Sequence, residues 1–481
     1  SDIDLTVTRT GVTAFSDWAV FETQATTTTL ATSGSPVEVD TLVTFTATVE
    51  PSSVPGSVEF FADGASLGSV AVAAGEAQTS TAGLAVGTRV ITATFTPTGL
   101  FLPSNGTLAG GQEITCAATR TVTNDGDSGA GSLRQAIADV CAGGTVDFSL
   151  SYPATITLTG GEITIDKNLT IDGPGATNVT VSGNGGSRIF NASGEVTIDG
   201  LTLRDGYASD GGAIYVTNWL TLTDSALISN TSTGPGGAIH VDSAIATVGN
   251  SSFADNHSTD SDGGAVANTG VSYLTVSGST FTGNTALASG MDGGAIYSAN
   301  DGGNVLIVVG STFSGNRAFE GGAIRSRDYL YLSNSTFYNN EATNAAGGGG
   351  ALRLMDTAYI TNTTIYSNSA PGNGGGVRIS SSTGTYSFAN VIVAGNSSAD
   401  CSTAGGAFDG ATNLATDATC GANFAQAGDA LLGTLGDYGG GTQTVPLLPG
   451  SPAIDAGDGA TCLPTDQRSI SRVSTCDIGA F

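Results

Sequence analysis

Between Tyr207 and Ile379 the apolar positions recur every 25 to 30 residues, not with a helical period. Seven times an apolar residue, two further residues, Asn, a loop and a Gly-Gly-Ala-Ile-like run follow one another. Phe281-Thr-Gly-Asn284 leads to Gly293-Gly-Ala-Ile296, Phe313-Ser-Gly-Asn316 to Gly321-Gly-Ala-Ile324, and Phe337-Tyr-Asn-Asn340 to Gly349-Gly-Ala-Leu352. The motif alanines are Ala213, Ala238, Ala265, Ala295, Ala323 and Ala351, with Gly376 in the seventh place; their spacings are 25, 27, 30, 28, 28 and 25. Such regularity marks a solenoid. Each unit is shorter than a βαβ unit, and its apolar residues alternate in short segments such as Leu330-Tyr-Leu332. The pattern predicts an all-β chain dominated by a right-handed parallel β-helix, about three short strands per coil, with coils about 4.8 Å apart.

Equivalent residues of such coils lie above one another. Leu227, Phe253, Phe281, Phe313, Phe337, Ile365 and Val393 share a register and are expected to form an apolar ladder in the core. Asn230, Asn256, Asn284, Asn316, Asn340, Asn368 and Asn396 share another. An Asn at each bend tolerates the left-handed conformation, and its side-chain amide can bond the coils on either side. The Gly-Gly pair is expected at the next bend, where a Cβ would clash.

The flanks read differently. Residues 1–24 carry Ile3, Leu5 and Val7 in alternation and form a candidate donor strand for self-assembly. Residues 25–115 hold strand-like runs such as Val43-Thr-Phe-Thr-Ala-Thr-Val49, with turn residues every 8–12 positions, and predict a sandwich of about seven strands. The solenoid is expected over 116–400. A helix near 132–141, capped by Ser132 and apolar at Leu133, Ile137 and Val140, is expected to cover its first coil. Residues 401–481 lose the motif and are expected to close the other end as a disulfide-containing cap.

The 481 residues carry 14 Lys and Arg against 42 Asp and Glu, a formal charge of −28. Nucleic acid and anionic membrane are poor partners for that surface. No run reaches the roughly 18 apolar residues of a membrane helix. Six cysteines fall in three local pairs, Cys116 with Cys141, Cys401 with Cys420, and Cys462 with Cys476, which predicts disulfides in an oxidising compartment.

Three segments resemble known families. Thr26-Thr-Thr-Thr-Leu30, Val43–Val49 and Leu84-Ala-Val-Gly-Thr88 resemble bacterial immunoglobulin-like repeats. The Phe-x-x-Asn and Gly-Gly-Ala-Ile motifs resemble the β-helix of bacterial surface proteins with polymorphic outer-membrane-protein repeats. Ser451-Pro-Ala-Ile-Asp-Ala456 and Cys476-Asp-Ile-Gly-Ala-Phe481 look like the closing segment of choice-of-anchor β-helix proteins. These resemblances imply a secreted or cell-surface structural protein or adhesin, and bring no catalytic residues with them.

One row remains a candidate for chemistry. Two positions after each motif alanine stand Tyr215, His240, Ala267, Tyr297, Arg325, Arg353 and Arg378. Stacked Tyr, His and Arg suit a glycan by stacking and bidentate bonding, provided the row is accessible. Unliganded, the arginines are expected to be solvated or paired with Glu320, Asp328 or Asp356. The residue before Gly-Gly is Asp210, Asp262, Asp292 or Glu320 in four coils. Asp262, Asp292 and Glu320 are candidate Ca²⁺ ligands; no other cofactor is expected. No compact acid–base set points to a polysaccharide lyase or hydrolase, so the leading expectation is structural or adhesive, with itself, neighbouring domains or glycans as partners. Head-to-tail filaments formed by strand addition are a further expectation.

Overall fold

The computed structural model describes residues 23–299, 302–472 and 475–481. Ile3, Leu5 and Val7 lie outside the described residues. The chain divides into two compact units, Ser1–Ala117 and Ala118–Phe481.

In the first unit, Thr27–Thr32, Val43–Glu50 and Glu76–Thr81 form an antiparallel sheet. Ala65–Ala71, Gly56–Ala62, Ile91–Pro97 and Ser104–Thr107 form a second. Alternation decides what is buried. Val43, Phe45, Ala47 and Val49 from the first sheet and Val58, Phe60, Ile91, Ala93 and Phe95 from the second share one core. A small third sheet joins Val37–Glu38, Gln112–Thr115 and Gly87–Arg89, so this immunoglobulin-like sandwich has ten short strands among the described residues rather than about seven.

The second unit is a parallel β-helix. Twelve strands from Ala117–Val122 to Asp409–Ala411 form its first sheet, twelve from Ala154–Thr157 to Phe424–Gln426 its second, and ten from Ile163–Ile165 to Cys401–Thr403 its third. Six coils add a two-residue strand, from Tyr207–Ala208 to Glu341–Ala342, giving four strands where three were expected.

The apolar ladder runs in the expected register from Leu227 to Val393. Phe253, Phe281, Phe313 and Phe337 stack with centroids 4.5, 4.8 and 4.7 Å apart. The asparagine ladder bonds in both directions: Asn284 Nδ2 donates to the Phe253 carbonyl at 3.0 Å and to Asn316 Oδ1 at 2.9 Å, and its backbone N–H donates to the same Oδ1 at 3.1 Å. The backbone role differs from expectation. The left-handed residue is the one before each ladder Asn, namely Ser229, Asp255, Gly283, Gly315, Asn339, Ser367 and Gly395. The Asn is kept for its amide, which satisfies two backbone groups that the bend would leave unpaired: at Asn284, the Phe253 carbonyl through Nδ2 and the Asn256 N–H through Oδ1. At the Gly-Gly bend the first glycine has positive φ, and a Cβ on the second would lie 2.0 to 2.4 Å from a neighbouring coil's carbonyl oxygen between Gly212 and Gly350. A third ladder, unanticipated, runs through Ser225, Ser251, Ser279, Ser311 and Ser335, each hydroxyl accepting a backbone N–H from the coil before.

The helix Leu133–Asp139 forms where expected, with Ser132 Oγ accepting from the Gln135 N–H at 3.2 Å. Leu133, Ala136 and Ile137 join the solenoid core, and Arg134 holds Asp127 at 2.7 Å and the Gly161 carbonyl at 2.7 Å.

The C-terminal expectation is corrected. Residues 401–426 continue the coils, with Cys401–Cys420 bridging them. Beyond them the chain turns back and straps the outer side of the second sheet. Thr442 Oγ1 donates to the Gly310 carbonyl, Asn334 Nδ2 to the Thr465 carbonyl, and Asn362 Oδ1 and Asn390 Oδ1 accept from the Leu463 and Asp458 N–H groups. Cys462–Cys476 lies within this strap. The strap seals apolar outward residues: Ile392 and Leu414 pack with Ala430, Ala453 and Ile478. In the uncovered coils the same register holds Ser252 and Thr280. Cys116 and Cys141 are disulfide-bonded too, and no described cysteine is free.

Candidate ligand-binding face

The candidate row is real as a register. Tyr215, His240, Ala267, Tyr297, Arg325, Arg353 and Arg378 pair in sequence along the third sheet. Their neighbours Ile214, Ile239, Ile296, Ile324 and Leu352 point into the core, so the row points outward.

It does not lie open. The loops before each Gly-Gly fold their acids over it. Asp292, Glu320 and Arg325 are 4%, 9% and 8% exposed. Arg325 pairs with Asp292, from the preceding coil, and with Glu320 at 3.0 Å. Glu320 also takes Arg353, from the following coil, and Asn344 Nδ2 at 2.8 Å. One guanidinium and one carboxylate thus staple three coils. Asp328 and Asp356 are not the partners: Asp328 accepts from the Gly303 and Asn304 N–H groups, and Asp356 from that of Thr357. Burial pushes Arg325 and Arg353 down to about 10, with Arg327 and Arg378 adding repulsion.

The other members are engaged as well. Tyr215 donates to Asp242 at 2.7 Å, and burial together with that carboxylate pushes its phenol up to about 12. Arg188 lies over the Tyr215 ring, 5.3 Å from its centroid. His240 Nε2 meets Thr269 Oγ1 at 2.7 Å, and burial lowers its pKa against the pull of Asp242 and Asp210. Tyr297 is buried and its hydroxyl meets Arg327 at 3.3 Å. Arg378 is half-buried, 3.4 Å from Ser402 Oγ.

Two expectations are therefore corrected. Tyr215, His240, Tyr297, Arg325 and Arg353 form an internally bonded polar seam, not an accessible glycan face, because carboxylates and neighbouring side chains occupy the bonds a glycan would take; Arg378, half-buried at the end of the row, has Ser402 Oγ at 3.4 Å. The Ca²⁺ reading of Asp262, Asp292 and Glu320 gives way likewise. Asp292 and Glu320 face guanidiniums. Asp262 is pushed up to about 6 by burial, against the opposing pull of Arg325 and Arg327 and a hydrogen bond from Tyr297. Among the described residues no cluster of three or more His, Cys, Asp or Glu side chains is arranged to hold a metal ion.

The sequence reading missed a different outward row, on the first sheet. Trp219, Ile245, Tyr273, Val305 and Tyr329 are in register there, and all but Val305 are more than a third exposed. Two residues on, Tyr331 and Tyr359 stack at 5.3 Å. Their signal was an aromatic residue immediately before an inward Leu or Ile, recurring at solenoid spacing.

A parallel β-helix with an immunoglobulin-like sandwich before it defines a solenoid protein of the bacterial surface type. Residues 28–109 match the bacterial Ig-like domain (group 3), and residues 278–299 match the Chlamydia polymorphic membrane protein repeat. The chain has the make-up of an extracellular or cell-surface protein. No described helix is long and apolar enough to cross a membrane. A search of curated proteins matches none to this chain. Among solved structures it is similar to the catalytic unit of a thermostable GH87 alpha-1,3-glucanase from Streptomyces thermodiastaticus, at 13% identity and a TM-score of 0.34, covering 85% of this chain and 93% of that one. It is also similar to a mutant of the PL6 family alginate lyase AlyGC, at 13% identity and a TM-score of 0.32, covering 75% and 57%. At those scores neither likeness assigns an activity to this chain.

Proposed function

We propose that this chain is a structural and adhesive rod of the bacterial surface. The observation that supports it is the seam at Arg325: its charged groups bond coil to coil, as Asp292, Glu320 and Arg353 do, so they stiffen the rod instead of meeting a substrate. The three interior ladders act in the same way. Strand addition by residues 1–24, where Ile3, Leu5 and Val7 alternate with polar residues, is the route by which copies would join. Negative-stain electron microscopy of the full chain, with and without residues 1–24, tests the reading. Filaments that shorten to single rods on deletion are expected. Single rods in both samples would remove filament formation, and compact, non-rod particles would remove the structural reading.

A further inference from the structure

The exposed row on the first sheet has a feature that core packing does not explain. Its rings sit on alternate coils. Trp219, Tyr273 and Tyr329 are each two coils apart, with Ile245 and Val305 between them. Two coils of a parallel β-helix span about 10 Å. Trp219 and Tyr273 are 44% and 50% exposed, and none of the three rings joins a ring contact among the described residues. Tyr331 and Tyr359, by contrast, stack on each other.

Hydroxyls accompany the rings. Two positions further along the same strands, and so on the same face, stand Thr221, Thr247 and Thr275. A shallow cleft of about 300 Å³ opens at the head of the row. Trp219 walls it, and Asn168 and Glu195 line it 3.1 Å from each other. Between Glu195 and Tyr329 neither the ring row nor the threonine row carries a lysine or arginine, and the whole chain stands at −28.

We infer that this face binds a neutral, extended 1,4-linked glycan lying along the solenoid axis. In a chain of diequatorially 1,4-linked hexopyranoses successive rings turn over, so each face recurs every second sugar. Alternate-coil aromatics match that disaccharide repeat. The apolar C–H face of every second sugar stacks on Trp219, Tyr273 or Tyr329, while threonine hydroxyls and the Asn168–Glu195 pair take its hydroxyls. Charge fixes the class: Glu195 without a basic neighbour in the rows repels uronate, sulfate and phosphate groups, so a neutral polymer fits and an anionic one does not. The inference rests on the adhesive half of the reading above, at a different face from the Arg325 seam.

The test is retention of the full chain on insoluble cellulose and chitin, with alginate beads as the anionic comparison. Titration with the soluble hexasaccharides of glucose and N-acetylglucosamine follows Trp219 emission in a Trp18→Phe background. Retention on a neutral polymer and not on alginate is expected. Trp219→Ala and Tyr273→Ala should each weaken binding about tenfold, with Tyr215→Phe, in the buried seam, leaving it unchanged. No retention of the parent chain, equal retention on alginate, or unchanged retention of the Trp219, Tyr273 and Tyr329 triple alanine variant would overturn the inference. So would a concentration-dependent dimer that the triple variant abolishes, since the face would then belong to a second copy. New reducing ends released from a retained polymer would leave this face standing and remove the structural reading instead.

Discussion

Two outward rows run along the same solenoid and end in opposite environments. On the third sheet, the row around Arg325 is covered by the loops that lead into the Gly-Gly pairs, and Arg325 and Arg353 are neutralised from within by Asp292 and Glu320. On the first sheet, Trp219 to Tyr329 has only short Ser-containing bends beside it and stays in solvent. The row that carries the arginines is therefore covered and the row of Trp219, Tyr273 and Tyr329 open, the reverse of composition-based expectation. In a solenoid, outward is a direction and not an exposure; the loop that follows each strand decides whether a row meets water.

The largest effect should come from unpairing the covered row. Glu320→Ala would leave Arg325 and Arg353 partly buried and short of a carboxylate, at a cost of about 3–5 kcal/mol, read as a fall in the denaturant midpoint. Replacing Asp292, Glu320, Arg325 and Arg353 together by apolar residues of similar size should cost far less. A collapse as large as that of the single variant would show that the charges, not the packing, hold these coils.

Titration separates the rows next. Asp262 holds its proton to about pH 6 when folded and loses it near the ordinary value of 3.8 when unfolded. The folded chain binds more protons between those values. Stability should therefore fall as pH rises from about 4 to about 6, by up to about 2–3 kcal/mol. Asp262→Asn should flatten that slope.

The strapped side gives a smaller effect. Asn362 has φ of 45° and accepts from the Leu463 N–H. Asn362→Gly keeps the backbone geometry and removes the anchor, at about 1–2 kcal/mol. Hydrogen exchange should quicken in residues 430–481 while the ladder amides near Asn284 stay protected. The smallest change belongs to the open row: Tyr273→Ala should alter stability by no more than about 0.5 kcal/mol. A loss of several kcal/mol would mean the ring is structural and would undercut its role as a ligand platform.

Much of the solenoid was legible because period is a one-dimensional property. The spacing of Leu227 to Val393, of Asn230 to Asn396 and of the Gly-Gly pairs carries the register. The same spacing aligned Tyr215 to Arg378, and the alternation in Val43–Val49 marked the sandwich. The helix over 133–139 was legible from Ser132 and its apolar face.

Other features depended on which segments meet across long separations. The left-handed conformation falls on Ser229 and Asp255 rather than on the ladder Asn, because the amide is needed for two buried backbone groups and the bend must be made one residue earlier. That residues 430–481 turn back as a strap follows from Ile392 and Leu414 facing outward, a pattern that only the register of the second sheet reveals. Whether Arg325 meets a ligand or a carboxylate depended on the fold of the Asp292 and Glu320 loops. Sequence thus determined the repeat, the ladders and the register, since stacked strands enforce a period that neighbouring residues carry. Tertiary structure alone decided cover and exposure, because burial is set by segments the period does not describe.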